Sequence, residues 1–127
     1  MESTLEKIQF RLNQSREKIK LASIFLEKKN YCDSVLASYR AIFYAIRVFL
    51  VDKDIDSDDP DRIIEIFEKY LQSTLFGNTT IIEIARRSKE IKDFAVNSNG
   101  QIQYEQAEVM LNNATTILHE VERYYSH

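Results

Sequence analysis

The sequence predicts an all-α fold, a bundle of about five helices forming one domain over residues 1–127, and three observations predict it. The 127 residues include two glycines and one proline, too few for the positive-φ turns that punctuate a many-stranded β fold. A composition of 44% hydrophobic and 29% charged residues suits one core under a charged surface, and the length suffices without disulfide or metal. Apolar residues also recur at alternating spacings of three and four, the period of a helix face.

The first helix runs from Thr4 to Lys29, with Leu5, Ile8, Leu12, Ile19, Ala22 and Leu26 on one seam and Ser15 in its one gap. Ser3 or Thr4 can cap its start, and Asn30 is its stop. The second, Tyr31 to about Val51, is apolar around most of its circumference, so partners must surround it. It has nearly the length of a membrane span, but Asp33, Arg40 and Arg47 would each cost roughly 2.5–3.5 kcal/mol in hydrocarbon. It reads as the central core helix, and no membrane association is expected.

Asp52 to Asp61 holds six aspartates and one lysine, a local net of −5 in a chain of net −3, so the remainder is slightly basic. Asp59-Pro60 is a cap followed by proline at the first helical position, opening a third helix to about Gln72. Phe76 to Thr80 carries the turn signal Gly77-Asn78, and Thr79 can cap a fourth helix with Ile81, Ile84, Ser88, Ile91 and Ala95 on one stripe and Phe94 adjoining. Asn97 to Gly100 ends it. The last helix carries Tyr104, Ala107, Leu111, Ala114, Leu118, Val121 and Tyr125. Heptad stripes at opposite ends of the chain suggest helices lying side by side at a shallow angle.

Asp33, Arg40 and Arg47 are seven residues apart and drift only about 20° per step, so they form one polar line on the second helix, with Ser34 and Tyr44 beside it. The line is either a seam reaching solvent or neighbouring acids, or a groove in which two guanidiniums present forks to phosphate or carboxylate. Arg86, Arg87, Lys89 and Lys92 make a second cationic cluster, with Asp93 after it and Glu83 and Glu90 interleaved. Asp54, Asp56, Asp58 and Glu65 match places one, three, five and twelve of a calcium loop, but Asp59 stands where the sixth place needs glycine. An acidic cap over the third helix's positive end is the better reading. No metal or cofactor is expected: there is no glycine-rich phosphate loop, Cys32 has no base, and His119 reads as structural. The lone cysteine and the lack of a leader pattern predict a cytoplasmic protein.

The stretch "YCDSVLASYRAIFYAIRVFL" resembles the second helix of the HEPN family (higher eukaryote and prokaryote nucleotide-binding domains), especially its small single-domain prokaryotic members. There an aspartate precedes an A-x-Y-x-A-x-F-[HY]-A-x-[RK] pattern, matched by Asp33 and then Ala37, Tyr39, Ala41, Phe43, Tyr44, Ala45 and Arg47. "PDRIIEIFEKYL" and "ARRSKEIKDFAV" are similar to two later landmarks, the second with Asp93-Phe94 in place of Asp-Tyr. The resemblance implies an up-and-down helical bundle, a homodimer, and nucleotide or RNA as ligand. It also implies a nucleotidyltransferase-like partner in a toxin–antitoxin or defence pair. The family's ribonuclease activity rests on an arginine followed four to six residues later by histidine, which moves the 2′-hydroxyl proton while guanidinium steadies the phosphorane. No histidine follows Arg86 or Arg87 at that spacing. The expectation is a non-catalytic nucleotide- or partner-binding module with Arg40 and Arg47 facing the ligand. A degenerate ribonuclease using Arg86 or Arg87, or a helical adaptor, is the alternative.

Overall fold

A computed structural model describes residues 3–51, 55–72, 79–98 and 101–125, and they form five helices. These are α1 (Thr4–Glu27), α2 (Tyr31–Leu50), α3 (Pro60–Gln72), α4 (Thr79–Asn97) and α5 (Tyr104–Tyr125). The Gly77-Asn78 turn, Gly100 and Asp54 lie outside the described residues. Among those described, no strand occurs, and no helix is long and apolar enough to cross a membrane.

Local chemistry explains the boundaries. The Ser3 hydroxyl accepts from the Glu6 amide and starts α1. α1 ends because Lys29 adopts a left-handed backbone (φ 63°), which lets the Asn30 amide reach back to the Phe25 carbonyl. The Asp59 carboxylate accepts from the Asp61 amide, and its carbonyl from the Ile63 amide, so the expected cap of α3 forms around Pro60.

α2 is central: it contacts each of the other four helices, and from Ser34 to Leu50 all its residues are buried except Leu36, Arg40 and half-buried Tyr44. Phe43, Ile42, Ile46 and Leu50 form the middle of the core, joined by Ile63, Ile64 and Phe67 of α3 and by Met110, Ile117 and Val121 of α5. α1 and α2 are stitched by two serines whose hydroxyls donate across the interface, Ser15 to the Ala41 carbonyl and Ser34 to the Ala22 carbonyl, each at 2.8 Å. The gap in the α1 stripe is thus a close-approach site. The two bonds also set direction: seven residues forward on α1 correspond to seven backward on α2, so the helices are antiparallel.

Some expected core positions are corrected. Leu5 is exposed because it precedes the first turn that α2 can cover, and Phe94 and Tyr104 keep nearly half of their surface exposed. The buried face of α4 runs through Ile81, Ala85, Ser88 and Ala95, with Ile84 and Ile91 half-buried at its edge. On α5 the face includes Met110 and Ile117 and leaves Leu111 half-buried. A helix of 3.6 residues per turn between two neighbours buries a face wider than a strict heptad stripe.

Candidate functional site

The serine register brings two lines of side chains to one seam. Carried along both helices, it places Arg11 of α1 level with Arg47 of α2, Lys18 with Arg40, and Phe25 with Asp33, each within two residues. Arg11, Lys18 and Phe25 are seven apart, the α1 counterpart of the Asp33, Arg40 and Arg47 line.

At one end of this seam is an open groove of about 510 Å³, within the range of small-molecule sites. Leu21, Phe25 and Leu36 give it an apolar wall, and Lys18, Asp33 and Arg40 stand over it. Arg40 is exposed, its guanidinium 5.8 Å from the Phe43 ring centre. Among the described residues neither Arg40 nor Lys18 makes an ion pair.

The far wall of the groove comes from α3 and α4. The Tyr39 hydroxyl donates to Asp61 Oδ1 at 2.6 Å, and Lys92 Nζ lies 3.0 Å from Asp61 Oδ1, 2.8 Å from Asp93 Oδ1 and 4.9 Å from the Tyr39 ring centre. Lys89 closes the cluster on Asp93 at 2.9 Å. Burial and the hydrogen bond to Asp61 push the Tyr39 phenol far up. Burial would lower the Lys92 ammonium, but hydrogen bonds to Asp93 and Asp61 outweigh it and raise the group, so Lys92 stays charged at neutral pH. Burial would likewise raise the Asp61 carboxyl, yet hydrogen bonds from Tyr39 and Lys92 hold it low; Asp93 is lowered by Lys92 and then Lys89.

The second α2 arginine has a different setting. Arg47 is 8% exposed and lies 5.0 Å from the Phe43 ring centre. Its Nε and one terminal nitrogen donate to the two oxygens of Asp56, each at 2.7 Å. Arg11 reaches Asp56 Oδ2 at 3.4 Å. This trio lines a recess of about 370 Å³ with Phe10, Val51 and Ile55.

Of the residues marked from sequence, Asp33 and Arg40 therefore share the groove, Arg47 sits two turns away on Asp56, and half-buried Tyr44 packs its ring on Phe43 and lines neither recess. The α4 cluster divides: Lys92 enters the groove, Lys89 and Asp93 support it, Arg86 pairs with Glu68 at 3.3 Å, and Arg87 is exposed. Sequence reasoning missed Lys18, Phe25, Arg11 and the Tyr39–Asp61 bond. The heptad line of Arg11, Lys18 and Phe25 was the available signal for three of them. The acidic run is not only a helix cap, since Asp56 neutralises Arg47 and Asp61 holds Tyr39 and Lys92. Among the described residues no group of three or more metal-ligating side chains converges. Cys32 is half-buried with its thiol toward the Ala95 carbonyl, and His119 is exposed.

An all-α bundle wrapped around a buried aromatic helix, with a mixed-charge groove beside that helix, defines a small helical-bundle module whose candidate site lies between α1 and α2 and is walled by α3 and α4. The HEPN domain family model matches residues 8–124, and the chain belongs to that family. Membership supports a nucleotide-binding or ribonuclease-type module. No curated protein matches the chain.

Proposed function

We propose that the chain is a non-catalytic nucleotide-binding module of the HEPN family, cytoplasmic and homodimeric, working beside a small nucleotidyltransferase in a toxin–antitoxin-like or defence pair. The pairing and the dimer rest on family resemblance. The nucleotide rests on one observation: Arg40, exposed and without an ion pair among the described residues, stands with Lys18 over the apolar wall of the 510 Å³ groove. A base can lie against Phe25 and Leu36, a phosphate can take the two cations, and Asp33 can accept from base amines or ribose hydroxyls. The non-catalytic part is supported by Lys92. It stands five residues after Arg87, within the arginine-to-histidine interval of the family's ribonucleases, and a lysine held charged has no lone pair to take the 2′-hydroxyl proton.

Thermal unfolding with a panel of nucleotides tests this. A ligand at 100 times its dissociation constant adds about 2.7 kcal/mol, a rise in midpoint of roughly several degrees. Arg40→Ala should abolish the rise for the ligand that causes it and leave the unliganded midpoint in place. A flat panel refutes the nucleotide reading, and RNA cleavage in EDTA that Arg87→Ala removes refutes the non-catalytic one.

A further inference from the structure

The groove does not use Arg11 and Arg47, yet these repeat its cation pair. Each pair takes one residue from α1 and one from α2, and the pairs are seven residues apart on both helices, about 10 Å along the axis at 1.5 Å per residue. They differ in what they hold. Lys18 and Arg40 make no ion pair among the described residues, whereas Asp56 sits on Arg47 through two bonds of 2.7 Å, the forked geometry with which a guanidinium also grips phosphate.

Three observations make Asp56 replaceable. Its side chain is 56% exposed, and it comes from the segment between α2 and α3 rather than from a helix. Two guanidiniums share it, Arg47 at 2.7 Å and Arg11 at 3.4 Å, and the only other carboxylate near them among the described residues, Asp58, stands 4.0 Å from Arg47 with a fully exposed side chain. The recess beside it offers Phe10, 56% exposed, as an apolar face, as Phe25 does in the groove. Aromatics interleaved with a line of cations are what successive bases and phosphates of a single strand engage.

We infer that Arg11 and Arg47 form a second phosphate subsite, occupied in the free protein by Asp56 as an internal substitute, so that the seam takes a short nucleotide strand bridging both cation pairs. The inference rests on the groove reading above for its first subsite. One phosphate cannot touch both pairs. A strand can, by displacing Asp56 from Arg47.

The test compares AMP with 5′-phosphorylated tri-adenylate on the full chain and on Asp56→Asn, by calorimetry at low salt. Asp56→Asn should tighten the trinucleotide about tenfold, equivalent to about 1.4 kcal/mol, while AMP changes far less. The trinucleotide's log–log salt slope should steepen by about 0.7 for the added phosphate contact. Arg11→Ala in the Asp56→Asn background should cancel the gain. An unchanged trinucleotide-to-AMP ratio, with AMP still bound, overturns the second subsite and leaves the groove standing. Failure of both ligands on both proteins overturns the groove reading and this one with it. Should Asp56→Asn not fold, the unaltered protein decides: the Arg11 and Arg47 Nε–H resonances should shift with saturating trinucleotide and not with AMP, and their constancy overturns the inference.

Discussion

Replacing Asp56 by alanine should destabilise the protein more than replacing Arg47 by methionine, although both remove the same ion pair. The structure makes the pair lopsided: Arg47 is 8% exposed and Asp56 is 56% exposed at the side chain. Removing the carboxylate leaves a guanidinium in the core boundary without the acceptor of two 2.7 Å bonds. Breaking a fully buried pair costs about 3–5 kcal/mol and an exposed one under about 1. Because solvent reaches Asp56, the expected loss lies between, about 1.5–3 kcal/mol. Arg47→Met keeps the stem against Phe43, removes the cost of burying the charge, and leaves Asp56 in water, so about 1 kcal/mol or less is expected. Urea unfolding at pH 7 of the two single variants and the double variant measures both terms and their coupling. The acid limb supplies a second check. Hydrogen bonds from Arg47 hold the Asp56 carboxyl below its ordinary range, against the opposing effect of burial. A depressed carboxyl adds stability that is complete above the unfolded value near 4 and is lost as pH falls through the folded value. Arg47→Met should erase that part of the acid dependence. If Arg47→Met costs over 1 kcal/mol more than Asp56→Ala, the lopsided-pair argument is wrong.

Other substitutions probe the rest of the frame. Ser15→Leu fills the apolar stripe of α1 as heptad logic would suggest, but it forces a larger side chain into the close approach at Ala41 and should cost about 1–3 kcal/mol in urea; Ser15→Ala should cost about 1. Lys29→Gly relieves a left-handed lysine and should raise stability by up to about 1 kcal/mol, seen as a higher thermal midpoint. Lys92→Met removes one of the partners that lower Asp61, after Tyr39, and the first of those that lower Asp93, so the stability these carboxyls contribute above pH 4 should shrink and acid unfolding should flatten. In contrast with Arg47, Arg40→Ala should leave unliganded stability within about 0.5 kcal/mol, since the side chain is exposed and makes no ion pair among the described residues.

Helix identity was legible along the chain because it depends on short-range periodicity and on caps that announce themselves: Ser3, Asp59-Pro60 and the apolar circumference of Tyr31 to Val51 all lie where the helices begin or pack. Core membership was less legible at Leu5, Phe94 and Leu111, where the sequence shows an apolar residue on a stripe but not how far the neighbouring helix extends. The candidate site was half legible. Periodicity on α2 alone placed Asp33, Arg40 and Arg47 on one line, and nothing local distinguished the two arginines.

The sequence by itself therefore determined an all-α chain, the order and approximate bounds of its helices, the central place of α2 and the family resemblance. Each follows from residues within a few turns of one another. Only the tertiary structure decided that Arg40, with no ion pair among the described residues, lines a groove while Arg47 is claimed by Asp56, that Lys18 and Phe25 join Arg40 and Asp33 there from α1, and that Lys92 is locked by aspartates from two helices. Those outcomes depend on the register between antiparallel α1 and α2, set by Ser15 and Ser34, and on where the segment before α3 falls. Electrostatic pairing acts over a few ångströms in space and is indifferent to distance along the chain.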